Sequence, residues 1–153
     1  MKNFKLLIVF LWCLLIFLLS NQDATTSANT STNFTKVVIN VVEFIFNRDF
    51  DDQYIIDACF SIVRKGAHFT LFFILGFVVC STLKEYIYGK LYLYSFGICL
   101  FFAISDEFHQ LFLEGRTAQI SDVFVDSFGA AGGILLYFLY NKFKFYRMVH
   151  KRE

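Results

Sequence analysis

The sequence contains no proline and little net charge, +1 at pH 7 with histidine neutral. Its basic residues neither dominate nor form an arm clear of apolar sequence, which argues against nucleic acid as a partner. Its four cysteines do not make a disulfide scaffold. Cys13, Cys80 and Cys99 lie within apolar runs, where a free thiol behaves as a small hydrophobe, and Cys59 has no evident partner in the sequence. What is plentiful is apolar: 57% of the 153 residues are hydrophobic and 20% aromatic. With proline absent, that is not the composition of an ordinary soluble domain but that of a small polytopic membrane protein.

Four apolar stretches organise the chain as a single domain over residues 1–153, an all-α bundle of four transmembrane helices. They cover roughly residues 4–20, 65–86, 91–113 and 118–140, each close to the length of about 20 residues that a spanning helix needs. The first follows Lys2 and Lys5, as a secretory signal would. The small residues Thr26-Ser27-Ala28 stand well beyond its apolar run, so a retained anchor is expected. Between the first and second spans, residues 20–35 are rich in Ser, Thr, Asn and Ala and form a loop. Val37-Val38, Val41-Val42 and Phe44-Ile45-Phe46 then suggest a short amphipathic helix on the outer leaflet. Asp49, Asp51, Asp52 and Asp57 make the next stretch acidic, a solvated face.

Positive charge is held back in the cytoplasm. Lys84, Lys90 and the tail from Lys142 to Arg152 place both termini inside, in the plasma membrane, and leave Arg64, Lys65 and Arg116 outside. The basic tail then meets the anionic inner surface.

Against this background Ser105-Asp106-Glu107-Phe108-His109-Gln110, Gly115-Arg116, Asp122 and Asp126 form a dense set of ionisable groups in an oily chain. Charges at membrane depth cost several kcal/mol unless paired or wet, so they read as a site. A rise of about 1.5 Å per residue puts Asp106 roughly 22 Å along a helix starting at Leu91, inside a hydrocarbon layer about 30 Å thick. Asp122, Asp126 and His68 reach the same level near the extracytoplasmic face. Residues three, four and seven apart share a helix face. That spacing groups Asp122, Asp126, Gly129 and Gly133; Ser95, Cys99, Phe102, Asp106 and then His109 or Gln110; and Lys65, His68, Phe72 and Gly76. Glycines at such spacing admit a neighbouring helix, so the carboxylates are expected to point into the bundle. Glu107 is expected to project elsewhere, toward the surface.

Arg64-Lys65, His68-Phe69, the Ser-Asp-Glu-Phe-His-Gln run, Gly115-Arg116, Asp122, Asp126 and Gly129 resemble the recurring signature of the VanZ-like membrane proteins. Ser20-Asn21-Gln22 resembles that family's Ser-rich exit from its first helix. The resemblance spans almost the whole chain. It implies an integral membrane protein of the cell envelope, linked in the founding member to reduced susceptibility to teicoplanin, a glycopeptide. The chain departs from the pattern in two places. Leu71 and Phe72 stand where the family often has an acid and an aromatic, which removes a proton acceptor or ligand, and Glu114 stands where a proline often precedes Gly-Arg.

Three functions stay open. The first is an outer-leaflet polar pocket that binds a membrane lipid, a lipid-linked envelope precursor or a drug. The second is a membrane-embedded hydrolase or transferase, with Asp106, His109 and Asp126 in acid/base roles. Its substrate-binding set is Arg64, Lys65 and His68 on the second helix, Glu107 and Gln110 on the third, Arg116 in the loop and Asp122 on the fourth. Arg116 would grip a phosphate or carboxylate, or pair with Asp106, Asp122 or Glu114. The third is a non-catalytic structural subunit whose polar groups hold helices together. His and Asp are donors that suit zinc or manganese. The run is not a His-Glu-x-x-His pattern, however, and the nearby Arg and Lys compete for the carboxylates, so no cofactor is expected, with a metal site kept as the alternative.

Overall fold

The computed structural model describes residues 2–21, 37–41, 43–44, 53–87, 89–113 and 119–150. Among the described residues there is no strand, and the long elements are four helices: α1 (Lys2–Ser20), α2 (Gln53–Leu83), α3 (Leu91–Gln110) and α4 (Ile120–His150). Each contains a stretch long and apolar enough to cross a membrane. The chain is therefore a multi-pass, all-α membrane protein. Residues 37–41 and 43–44 are also helical, with Val37, Val41 and Phe44 exposed; Val42, Ile45 and Phe46 lie outside the described residues.

Two helices run further than the apolar stretches suggest. α2 begins at Gln53 rather than near residue 65, because Arg64 and Lys65 occupy one face of a helix that no proline or glycine interrupts before them. Asp57 thus belongs to α2, while Asp49, Asp51 and Asp52 lie outside the described residues. α4 continues ten residues past 140, to His150, carrying Lys142, Lys144 and Arg147 on exposed turns. At 31 residues each, these two helices are about 46 Å long and exceed a hydrocarbon layer of about 30 Å. α3 is shorter than expected and closes in a turn through residues 111–113.

Helices consecutive in the chain run antiparallel, so that α1 lies parallel to α3 and α2 parallel to α4. At one end Lys5 of α1 pairs with Glu85 just beyond α2, and Lys84 Nζ donates to Asn141 Oδ1 of α4 at 2.8 Å. At the other end Ser20 of α1 reaches α3, and Arg64 of α2 reaches α4. Large apolar side chains face outward, with Phe101 73% and Phe128 69% exposed. Small ones face inward, as Cys99, Ala103 and Ala130 are fully buried. A soluble protein would not expose so much aromatic surface, whereas lipid solvates it and leaves close packing of small residues to hold the helices together.

The closest packing joins α2 to α4. A Cβ built on Gly76 would overlap the Ala130 carbonyl oxygen, one on Gly129 that of Phe69, and one on Gly133 that of Phe73. The backbones touch where side chains would otherwise intervene, as the stripe of Asp122, Asp126, Gly129 and Gly133 predicts. Phe72, Leu75 and Val79 of α2 then pack with Ile16 of α1 and with Cys99 and Ala103 of α3. Trp12 Nε1 donates to the Leu71 carbonyl at 3.0 Å and fixes α1 against α2. All four cysteines are free.

Candidate functional site

Asp106 lies in the next-to-last turn of α3, 4% exposed. Its Oδ2 accepts from Ser20 Oγ at 2.8 Å and from Gln110 Nε2 at 3.2 Å, and Gln110 Nε2 also reaches Ser20 Oγ at 2.9 Å. Gln110 reaches Asp106 because side chains four apart on a helix are neighbours. Ser20 reaches it because the apolar run of α1 ends in a hydroxyl at that level. Asp106 Oδ1 is buried without a hydrogen-bond partner among the described residues. Ser20 is the residue that sequence reasoning left out of the site, although its place at the end of the first apolar run was visible.

From α2 and α4 come His68 and Asp126. Asp126 is 2% exposed. His68 Nδ1 stands 3.7 Å from Asp126 Oδ1, which is ion-pair range but beyond a hydrogen bond. Both atoms are buried and lack hydrogen-bond partners among the described residues. One donor atom from each of His68, Asp106 and Asp126 falls within 4.8 Å of the others. Three helices thus bring an imidazole and two carboxylates to a single point, with α1 supporting them through Ser20.

The cations lie beside this point rather than in it. Arg64 Nη2 meets Asp122 Oδ2 at 3.1 Å, and Lys65 Nζ meets Asp122 Oδ1 at 3.2 Å and Ser121 Oγ at 3.2 Å. Asp122 sits in the first turn of α4, where the helix dipole also favours an anion. Arg64, Lys65, His68, Asp122 and Asp126 line a narrow cleft. The cations form its partly exposed mouth and the His68–Asp126 pair its buried interior.

Two residues, Glu107 and His109, land elsewhere than expected. Glu107 does not project toward the surface. It is 7% exposed, and its Oε1 accepts from the Gln119 backbone N–H. A carboxylate there satisfies a donor that the start of α4 leaves without an intrahelical partner, so it staples the end of α3 to α4. His109 does not join His68 among the carboxylates. Its ring lies on Phe17, centroids 4.7 Å apart, and its Nδ1 is buried with no hydrogen-bond partner among the described residues. The one-residue step from Gln110 turns His109 toward α1. Ser105 Oγ is exposed and returns to the Phe101 carbonyl at 2.8 Å, as a hydroxyl does when it satisfies itself within its own helix. Arg116, together with Glu114 and Gly115, lies outside the described residues.

A multi-pass helical protein with an acidic, histidine-containing cluster at one end of its bundle is the class that these features define. The family model described as VanZ/LLP1 matches residues 4–141, nearly the whole chain. The chain belongs to that family. No curated protein and no solved structure matches it.

Proposed function

We infer that the protein spans the plasma membrane as one domain, with both termini in the cytoplasm and the polar end of the bundle at the extracytoplasmic face. There it binds the anionic part of a membrane lipid or lipid-linked envelope precursor, and so lowers susceptibility to teicoplanin-type glycopeptides. The observation that carries this reading is the convergence of Arg64 and Lys65 on Asp122 at the mouth of a cleft. Two cations held side by side by one carboxylate can accept an anion that displaces it. The test is expression in a glycopeptide-susceptible host beside the Arg64→Ala/Lys65→Ala double variant at equal membrane yield. Wild type is expected to raise the teicoplanin concentration needed to stop growth and the variant to lose that effect. Equal susceptibility of both strains sinks the reading.

A second reading, acid/base hydrolysis or transfer on a lipid-linked substrate, draws on the unpartnered oxygens of Asp106 and Asp126 beside His68. Buried carboxylates next to an imidazole are placed to hold and move a proton. His68 then takes the place in the cluster expected for His109. Incubating the purified protein with labelled envelope lipids separates the two: saturable binding with unchanged lipid favours the binder, and a new lipid product the enzyme. The structural-subunit reading draws on the bonds from Ser20 to Asp106 and from Gln110 to Ser20, which tie α1 to α3.

A further inference from the structure

His68, Asp106 and Asp126 present a donor set that the lipid-binding reading does not use. Each contributes a donor atom within 4.8 Å of the other two, and His68 Nδ1, Asp106 Oδ1 and Asp126 Oδ1 are buried without hydrogen-bond partners among the described residues. Bare carboxylate oxygens in a water-poor interior cost several kcal/mol, so an arrangement that gathers them calls for a positive charge between them. Among the described residues the nearby basic side chains do not supply it, because Arg64 and Lys65 are both engaged by Asp122.

We propose that His68, Asp106 and Asp126 together bind one divalent transition-metal ion. One imidazole nitrogen and two carboxylate oxygens suit Mn2+ or Zn2+, and two carboxylates balance the charge of the ion. Metal–donor distances of about 2.1 Å put donors about 3.4 Å apart in a tetrahedral site, so the cluster closes by rotating its side chains about 1 Å inward. Asp106 already has the posture of a ligand oriented by an outer shell. Ser20 and Gln110 hold its Oδ2 and leave Oδ1 bare, and such supporting bonds are what fix a metal-binding carboxylate. The site lies deeper than Arg64 and Lys65 and does not depend on any lipid binding at the mouth.

The full-length protein, purified in mild detergent without chelator, is loaded with Mn2+ or Zn2+ and dialysed against metal-free buffer. Its metal content is then read by mass spectrometry and its thermal unfolding recorded. Wild type is expected to retain about one ion per chain and to unfold at higher temperature when loaded, since an ion that binds only the folded state stabilises it. Asp126→Asn and His68→Gln are expected to lose the ion and the thermal shift. Ser20→Ala, acting through the orientation of Asp106, weakens affinity about 10- to 100-fold. Ser105→Ala, exposed and turned back on its own helix, keeps the ion. If an Asp126 variant gives no folded protein, His68→Gln and the wild-type titration decide. Equal metal content in wild type and His68→Gln, or a wild-type unfolding temperature that neither ion moves, overturns the proposal.

Discussion

His68 Nδ1 on α2 stands 3.7 Å from Asp126 Oδ1 on α4, one helical turn from the point where Gly129 meets the Phe69 backbone. The two facts are coupled. Side chains as short as histidine and aspartate meet across helices only when the backbones approach closely, and here glycine sets that approach. The spacing of α2 and α4 therefore belongs to the site as much as to the fold.

Adding a methyl group one turn further along the same glycine-lined interface tests how far glycine sets it. A Cβ at Gly133 meets the Phe73 backbone, which cannot move aside as the end of a flexible side chain can. Gly133→Ala is expected to lower stability by about 1–3 kcal/mol. Gly97 on α3 has nothing within 4 Å of the same added atom, so Gly97→Ala gains about 0.5–1 kcal/mol from helix propensity. Thermal unfolding of both variants in one detergent reads the difference. Equal behaviour removes the case for a glycine-set interface.

Glu107 offers a second test, because its assigned partner is a backbone donor and not a ligand. If it caps the start of α4 through Gln119 N, Glu107→Gln keeps an acceptor and stays near wild-type stability. Glu107→Ala leaves that donor bare and costs about 1 kcal/mol. A substrate-binding role for the charge removes the difference between them, since glutamine would then fail in lipid binding as fully as alanine. Unfolding temperature and lipid retention of the two variants decide between the roles.

Much of this was legible in the chain, for reasons particular residues make plain. Period and apolarity revealed the four spans, and the spacing of Asp126, Gly129 and Gly133 foretold that a neighbouring helix approaches α4 closely, without saying which. The ends of α2 and α4 were not legible. Charge at Arg64 and from Lys142 onward looked like a border, yet charged side chains on one face do not stop a helix. Near the site, helical spacing left Asp106 a choice of His109 or Gln110 as neighbour. The structure resolves the choice by giving Gln110 to Asp106 and His109 to Phe17. The role of Glu107 was hidden because its partner is a backbone N–H, which no side-chain pattern announces.

The proposed orientation makes its own forecast. If both termini are cytoplasmic, Lys144 near the end of α4 lies inside and Tyr54 near the start of α2 lies outside. In a background with Cys59 replaced by serine, a cysteine at Tyr54→Cys is expected to react with a membrane-impermeant maleimide in intact cells. One at Lys144→Cys should react only after permeabilisation. The reverse pattern inverts the bundle and moves the polar end to the cytoplasmic side.

Asp122 gives the sharpest test of what the mouth of the cleft does. The side chains of Arg64 and Lys65 are 32% and 30% exposed, and Asp122 is 13% exposed. The carboxylate is thus an internal competitor for any anion those cations would bind. Removing its charge with Asp122→Asn releases both cations. A partly exposed ion pair is worth up to about 1 kcal/mol, so anionic lipid should bind about two- to five-fold more tightly. Arg64→Ala and Lys65→Ala should each weaken the same binding, and zwitterionic lipid should respond to none of the three changes. Lipid retained through purification, counted by native mass spectrometry, gives the readout. Opposite signs for the acid and the bases are the signature of an anion site. If Asp122→Asn weakens binding as the basic variants do, the three side chains only brace α2 against α4, and the anion-binding reading falls.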